Sequence, residues 1–264
     1  MCADDFGLHI SVDEAIVELA RLGRLSGAGC LVDGPSFAES AESLRSSGLQ
    51  CGLHLNFTEA LGAEGVFMPL GQLVRACWAR RLDPVHVRRQ IVHQLDRYEA
   101  VLGCAPHYVD GHQHVHQFPQ IREALIDELA RRYPTAGSRP WLRSTLAGHQ
   151  AGMPLNLRVK SAIIATLGAS RHGRLARGQG FRLNRALLGV YDFTGGASGY
   201  AHLLAAWLAA AREGDLIMCH PAMRAVPGDA LGEQRRAEYD VWASAQTGKW
   251  LREHNVAIGP LFTP

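Results

Sequence analysis

Short apolar runs alternate along the chain with segments of helical periodicity, and this alternation restricts the fold more than any other feature. Parallel strands joined by helical crossovers produce such a pattern, so the sequence predicts an α/β fold. A closed or nearly closed barrel and an open doubly wound sheet both satisfy it. The predicted strands are 27–32, 50–57, 108–115, 141–146, 187–193, 215–219 and 256–261.

Two of the four predicted helices carry start signals. Ser11 and Glu14 form a capping-box pattern at the start of the first helix. Asp83 is an N-cap candidate, and Pro84 follows at the first helical position. The other two predicted helices are 119–133 and 198–213. No internal repeat or low-complexity linker interrupts the chain, so we expect residues 1–264 to form a single domain.

Composition and missing motifs exclude several classes of protein. A net charge of +2 gives no electrostatic argument for nucleic acid binding. No G-x-G-x-x-G and no P-loop is present, which argues against a dinucleotide- or nucleotide-binding sheet. No apolar run approaches the roughly 20 residues that span a bilayer, and no signal peptide is evident, so we expect a cytoplasmic protein without a membrane span. The six cysteines form no C-x-x-C pair, which favours reduced thiols over a structural zinc site.

The segment 107–117 reads His-Tyr-Val-Asp-Gly-His-Gln-His-Val-His-Gln and is unusually rich in potential ligands. As an extended strand it would place Asp110, His112, His114 and His116 on one face, because side chains alternate along a strand. These four positions span roughly 20 Å at about 3.3 Å per residue, so they cannot all bind one ion. One or two of them are candidate ligands, and other segments must supply the rest.

Further candidate ligands fall where other apolar runs end. Asp4, Asp5, His54, His112 and His220 all occupy such positions. Functional groups gather at the carboxyl ends of strands in parallel α/β folds, so we expect these five to converge. Two neutral imidazoles and one carboxylate, with a position open for water, can hold a catalytic divalent cation. The second aspartate can then accept a proton from that water. The pattern alone neither orders the two aspartates nor chooses His112 over His114.

Four motifs in this order resemble the YdjC/ChbG family of carbohydrate deacetylases. They are ADDFG at 3–7, GLHLNF at 52–57, HYVDGHQHVHQFPQI at 107–121 and MCHPA at 218–222. The resemblance implies a (β/α) barrel related to the TIM barrel and one divalent metal ion, Mg²⁺ or Zn²⁺. It also implies removal of acetyl groups from N-acetylated amino sugars such as chitooligosaccharides.

Carried over by position, the resemblance assigns roles to the five converging residues. It makes Asp5, His54 and His112 the metal ligands. It makes Asp4 the general base and His220 the general acid. A homodimer would suit the family.

Basic residues dominate the second half of the chain. Between 129 and 191 there are eleven arginines and lysines and no acidic residue. A solvated face, a dimer contact and a pocket for an anionic substrate all fit this run. We hypothesise that some of these arginines hold a phosphate or carboxylate of the sugar, since guanidinium binds such groups bidentately. Arg143 and His116 are the residues we expect to contact substrate.

The start of the chain departs from the family pattern. Members carry several apolar residues before ADDFG, whereas only Met1 and Cys2 precede it here. We therefore expect an irregular or incomplete first strand. Because Asp4 and Asp5 depend on that strand for their position, a non-catalytic sugar-binding relative is one alternative function. The second alternative function is a metal-dependent phosphoesterase or another amidohydrolase, since these enzymes can use the same ligands.

Overall fold

A computed structural model describes residues 1–226 and 228–262. Within these residues, seven parallel strands curl into a half-barrel with ten α-helices around it. The strands are β1 (Cys2–Phe6), β2 (Gly27–Cys30), β3 (Gln50–Leu55), β4 (Tyr108–Gly111), β5 (Trp141–Leu142), β6 (Ala186–Leu188) and β7 (Asp215–Cys219). The helices are α1 (Ile10–Arg21), α2 (Phe37–Ser46), α3 (Leu70–Trp78), α4 (Pro84–Leu102), α5 (Ile121–Arg132), α6 (Leu155–Thr166), α7 (Ala169–Gly178), α8 (Gly196–Ala210), α9 (Gly232–Ala243) and α10 (Ala245–Glu253).

Strand order around the sheet is β5-β4-β3-β2-β1-β7-β6, a cyclic sequence with one break between β5 and β6. Single bridges across that break join Leu142 to Leu183 and Ala147 to Leu187. The Leu187 N–H donates to the Leu146 carbonyl at 2.8 Å. The curled sheet is thereby nearly closed. The predicted α/β fold with a TIM-like barrel is confirmed, and the open doubly wound alternative is wrong because the strand order never reverses.

The first strand lies in the middle of the sheet. Cys2 pairs with Gly27 of β2 on one side and with Met218 of β7 on the other. The register with β2 shifts between Ala3 and Phe6. The strand that we expected to be irregular or incomplete is thus irregular, but its five residues form ladders on both sides.

The predicted strand 108–115 is too long. β4 ends at Gly111, and the 3₁₀ helix His112–Gln117 follows it directly. Gln113 and His114 have φ angles of 51° and 61°, which an extended strand cannot contain. The expectation that four ligand-capable side chains share one strand face is therefore wrong, because alternating apolar and polar residues also fit this tight turn.

The last predicted strand, 256–261, is wrong, because these residues form no strand among the described residues. The carbonyl of the neighbouring Phe262 accepts a hydrogen bond from Gln50 Nε2 at 2.6 Å. The Phe262 ring also lies edge-on to Trp141, with ring centroids 6.0 Å apart. The apolar residues of this tail cover the end of the barrel where the strands begin, and they pack there instead of pairing.

The four predicted helices are present as α1, α4, α5 and α8, with ends shifted by a few residues. The capping-box interpretation at Ser11 is wrong, because His9 is the N-cap and its Nδ1 accepts from the Ser11 N–H at 3.1 Å. The Ser11 hydroxyl instead accepts from the Arg224 N–H at 2.8 Å, which ties α1 to the loop after β7. Among the helices described, none is long and apolar enough to cross a membrane.

The barrel interior contains aromatic rings that require a small neighbour. Tyr108 stacks on Trp141, with ring centroids 4.4 Å apart. A Cβ added to Gly52 would lie 2.4 Å from the Tyr108 ring, so only glycine fits there without rearrangement. The Tyr108 hydroxyl lies 2.9 Å from Cys2 Sγ. These side chains form the floor beneath the polar groups described below.

Helix α4 begins as predicted, and its N-cap offers a test of local stability. The Asp83 carboxylate accepts from the Val85 N–H at 2.8 Å and the His86 N–H at 3.4 Å. Asp83→Ala should lower the free energy of unfolding by about 1 kcal/mol, because two helix-terminal N–H groups lose their partner. Asp83→Asn keeps an acceptor and should stay close to the parent in urea titrations. Equal stability of the alanine variant and the parent would contradict the capping role.

Candidate active site

The carboxyl ends of the strands surround a cavity of about 760 Å³. Asp4 and Asp5 reach it from β1, His54 from β3, His112 from the turn after β4 and His220 from the end of β7. All five residues that we expected to converge therefore line one cavity. Its position is the usual place for functional groups in a parallel barrel.

Both adjacent aspartates face this cavity, which a regular strand would not permit. Neighbouring side chains of a strand point to opposite faces. Asp5 has a φ of 69°, and the register of β1 shifts at the same place. Aspartate tolerates this left-handed conformation better than most residues. The bulge thus turns Asp5 toward the side that Asp4 already faces.

Asp5, His54 and His112 form a group with the donors of a metal site. Asp5 Oδ1 lies 3.4 Å from His54 Nε2 and 3.0 Å from His112 Nδ1. One ligand atom from each residue falls within 4.8 Å of the other two. All three side chains are almost fully buried, and the group opens to the cavity on one side. One carboxylate and two imidazoles at this spacing fit a divalent cation.

Two further residues orient these donors. Asp110 Oδ1 lies 2.6 Å from His54 Nδ1, which leaves Nε2 of that ring to face Asp5. Arg235 of α9 donates from Nη2 to Asp5 Oδ2 at 2.8 Å, so the other carboxylate oxygen faces the histidines. Such partners of ligand side chains are a regular feature of metal sites. Sequence reasoning placed Asp110 among the ligand-capable residues of β4 but missed its contact with His54, and it missed Arg235, which lies in a helix.

Asp4 is held by a buried ion pair. Arg143 donates from Nη1 and Nη2 to the two oxygens of Asp4, at 2.6 Å each. Arg143 Nη2 also lies 2.5 Å from Asp110 Oδ2. Burial would raise the pKa of Asp4, but the charges of Arg143 and His54 outweigh it and keep the pKa well below its usual value. Asp4 is therefore ionised at neutral pH.

A second group, Cys2, Asp4 and Asp110, also meets the distance limits of a metal site. Arg143 lies among these three, with Nη2 3.1 Å from Cys2 Sγ as well as close to both carboxylates. Burial raises the pKa of the Cys2 thiol to about 12, so the sulfur stays protonated. A guanidinium already supplies the positive charge, and a second cation does not fit beside it.

His220 follows the end of β7 and lies beside Asp4. Its Nε2 is 3.9 Å from Asp4 Oδ2, and its ring lies edge-on to Phe193 with centroids 5.0 Å apart. The His220 backbone N–H donates to Glu238 Oε2 at 2.6 Å. Burial lowers the pKa of His220 to about 4, against the opposing effect of Asp5 and Asp4. The imidazole is neutral at neutral pH.

His114 lines the cavity but does not belong to the ligand group. Burial and the positive charge of Arg143 lower its pKa to about 3. Its φ of 61° turns the chain between His112 and His116. The geometry therefore distinguishes His112 from His114, which the residue pattern could not do.

His116 and Arg143 lie beneath the cavity wall, and neither is part of its lining as described. Both are fully buried, and His116 Nε2 lies 3.0 Å from the Arg143 carbonyl oxygen. A role in substrate contact stays a prediction for them, and their contacts support positioning of Asp4 instead. Of the eleven basic residues between 129 and 191, Lys160 is the one that lines the cavity among the described residues.

The charge state of the two histidine donors leads to a test. Asp110 and Asp4 outweigh burial and raise the pKa of His54 to about 10. Asp5 does the same for His112, raising its pKa to about 9. Both imidazoles are thus protonated at pH 7 in the metal-free chain, and a cation must displace these protons.

We therefore expect Zn²⁺ binding at pH 7 to release up to two protons, and its affinity to rise with pH up to about 10, where His54 has lost its proton. Calorimetry in buffers of different ionisation enthalpy measures the proton count directly. Asp127→Asn, which changes an exposed carboxylate of α5, provides a control. Binding without proton release would show that the cation avoids both histidines.

Known proteins are similar to this chain in sequence and in fold. The family model described as YdjC-like protein matches residues 1–253. The human protein named carbohydrate deacetylase is 30% identical, with 85% of this chain and 75% of that protein covered. The mouse protein of the same name is 28% identical over 97% of this chain and 91% of its own length. A Yersinia enterocolitica chitooligosaccharide deacetylase is 31% identical over 58% of this chain and 62% of its own length.

Among solved structures, an Enterococcus faecalis protein named for cellobiose-phosphate cleavage superposes with a TM-score of 0.70. The two chains are 20% identical, and the superposition covers 98% of this chain and 95% of the other. This similarity shows a shared fold. The family match extends over nearly the whole chain and confirms the resemblance drawn from the four motifs: the protein belongs to the YdjC-like family.

Proposed function

We propose that this chain is a divalent-metal-dependent hydrolase that removes the acetyl group from an N-acetylated amino sugar. The observation that carries the proposal is the group Asp5, His54 and His112 beside Asp4 and His220 in one cavity. The deacetylase names of the relatives support the substrate class. A cavity of about 760 Å³ has room for a sugar, since small-molecule sites range from about 300 to 1,000 Å³.

Asp5, His54 and His112 would hold the cation. Two imidazoles and one carboxylate suit Zn²⁺ better than Mg²⁺, which prefers oxygen ligands. When bound, the cation would polarise the acetyl carbonyl and make water more acidic. Arg235 and Asp110 keep the donor atoms turned toward one another, at 2.8 Å from Asp5 and 2.6 Å from His54 respectively.

Asp4 acts as the general base. It is ionised at neutral pH because Arg143 and His54 outweigh the effect of burial on its pKa. Asp4 Oδ2 keeps an acceptor site free after binding Arg143, because a carboxylate offers about two such sites on each oxygen. A water molecule in the cavity loses a proton to Asp4, and its oxygen attacks the acetyl carbonyl carbon.

His220 delivers a proton to the leaving nitrogen. Because its imidazole is neutral at rest, it must gain a proton before it can protonate an amine. Asp4, which has just taken the proton from water, lies 3.9 Å away. One proton therefore passes from water to Asp4, then to His220, then to nitrogen as the C–N bond breaks. Acetic acid and a free amino sugar are the products.

The reaction itself can be tested on the purified protein with Zn²⁺ added. Acetate should be released from N,N′-diacetylchitobiose, and phosphate should not be released from generic phosphate esters. The reverse result would favour a phosphoesterase that uses the same residues. Binding of the sugar without release of acetate would favour a non-catalytic relative. A phosphorylated amino sugar tests the anionic substrate, because Lys160 can reach an anion from the cavity wall.

The two adjacent aspartates should differ in what their loss does. Asp4→Asn should keep the metal and lower kcat by about 10²–10⁴-fold, because only proton transfer is removed. Asp5→Ala should lose the metal as well, since it removes a ligand. Metal content, measured by inductively coupled plasma mass spectrometry, and kcat, measured from acetate release, separate the two effects. Full metal occupancy in Asp5→Ala would reverse the assigned order of the pair.

A further inference from the structure

The two histidine donors are each held by a carboxylate, but the two carboxylates are placed differently. Asp110 holds His54 and is fully buried. On the other ring, His112 Nε2 lies 3.2 Å from Glu59 Oε1, while its Nδ1 faces Asp5. The Glu59 side chain is 43% exposed and lies in the cavity wall.

We propose that Glu59 is a positioning residue for His112, as Asp110 is for His54. The inference rests on the proposed metal site. Glu59 accepts a hydrogen bond from Nε2–H, so Nδ1 is the nitrogen left free for a cation beside Asp5. A carboxylate on the far nitrogen also fixes the ring orientation of a ligand histidine. Without Glu59 the ring of His112 can rotate about its side-chain bonds, because its outer edge faces the cavity.

An asparagine two positions after His54 holds the backbone of Glu59. The Asn56 side-chain oxygen accepts from the Thr58 N–H at 3.0 Å and the Glu59 N–H at 3.1 Å. Its amide nitrogen donates to the Glu59 carbonyl at 2.6 Å. Three hydrogen bonds from one side chain thus define the turn that presents Glu59 to His112.

Two glutamines of α4 in turn hold Asn56. Gln90 Nε2 and Gln94 Nε2 donate to the Asn56 carbonyl at 2.9 Å and 2.8 Å. Gln94 Oε1 accepts from the Asn56 N–H at 2.9 Å. Both glutamines are buried, and an unpaired amide there would be costly, so their contacts are well defined. A continuous set of hydrogen bonds therefore connects α4 to the outer edge of His112.

A glutamate that is simply exposed to solvent does not require hydrogen bonds that fix its backbone. Glu64, eight residues from Asn56 in the same loop, is exposed, and its side chain forms no hydrogen bond or ion pair with the described residues. Glu59 differs from it in the fixed backbone and in the direct contact with His112. Glu64 is therefore the matched control for Glu59.

Zn²⁺ affinity, measured by chelator competition with the metal alone, tests the proposal without reference to turnover. Glu59→Ala should weaken binding about 10–100-fold, the usual effect of removing a partner of a ligand histidine. Glu59→Gln keeps an oxygen acceptor at the same distance and should stay within about threefold of the parent. Glu64→Ala should match the parent.

Glu59→Asp separates positioning from simple charge attraction. It keeps the negative charge but is one methylene too short for the 3.2 Å contact, so it should behave like the alanine variant. Equal Zn²⁺ affinity of Glu59→Ala and the parent would overturn the proposal. Strong Zn²⁺ binding by Glu59→Asp together with weak binding by Glu59→Gln would overturn it as well. Failure of the parent chain itself to bind Zn²⁺ would instead overturn the proposed metal site. Melting temperatures of the metal-free variants, expected to match, guard against loss of the fold.

Discussion

The guanidinium of Arg143 lies between two buried carboxylates, and the geometry of the cavity depends on this contact. It binds both oxygens of Asp4 and one oxygen of Asp110. Asp110 in turn holds His54. Arg143 therefore helps to position both Asp4, the candidate base, and His54, a candidate ligand. Removing one partner of a buried ion pair typically costs about 3–5 kcal/mol, because an uncompensated charge stays behind. Arg143 therefore fixes the side chains of Asp4 and Asp110 beside the cavity.

The charges around the cavity explain how such a polar cluster can exist before a cation binds. Asp4, Asp5 and Asp110 are close together, and two guanidiniums, Arg143 and Arg235, lie against them. The protonated forms of the two histidine donors supply further positive charge in the metal-free chain. Exchange of two protons for one divalent cation leaves the total charge of the cluster unchanged. The protein can therefore fold with these groups in place, and the proposed cation would enter a prepared group.

The sequence predicted the residues at the strand ends well, because one topological rule places them together. His54 and His220 needed no more than an apolar run that ends in a histidine. The rule could not find Arg235, which comes from a helix with no motif around it, or the role of Glu59, which depends on a loop. The bulge at Asp5 was also hidden, since positive φ leaves no periodic signal. Between β4 and α5, alternation of residue types suggested a strand where the chain makes a tight turn.

One loop, residues 56–69 between β3 and α3, carries Glu59 and borders the cavity. The support of His112 is therefore exposed to the same molecules that the cavity admits, whereas the support of His54 is sealed inside the barrel. Under the proposed function, changes in this loop that adapt the cavity to another saccharide would also alter its hold on the cation. Sugar preference and metal retention would then be linked along this side of the barrel.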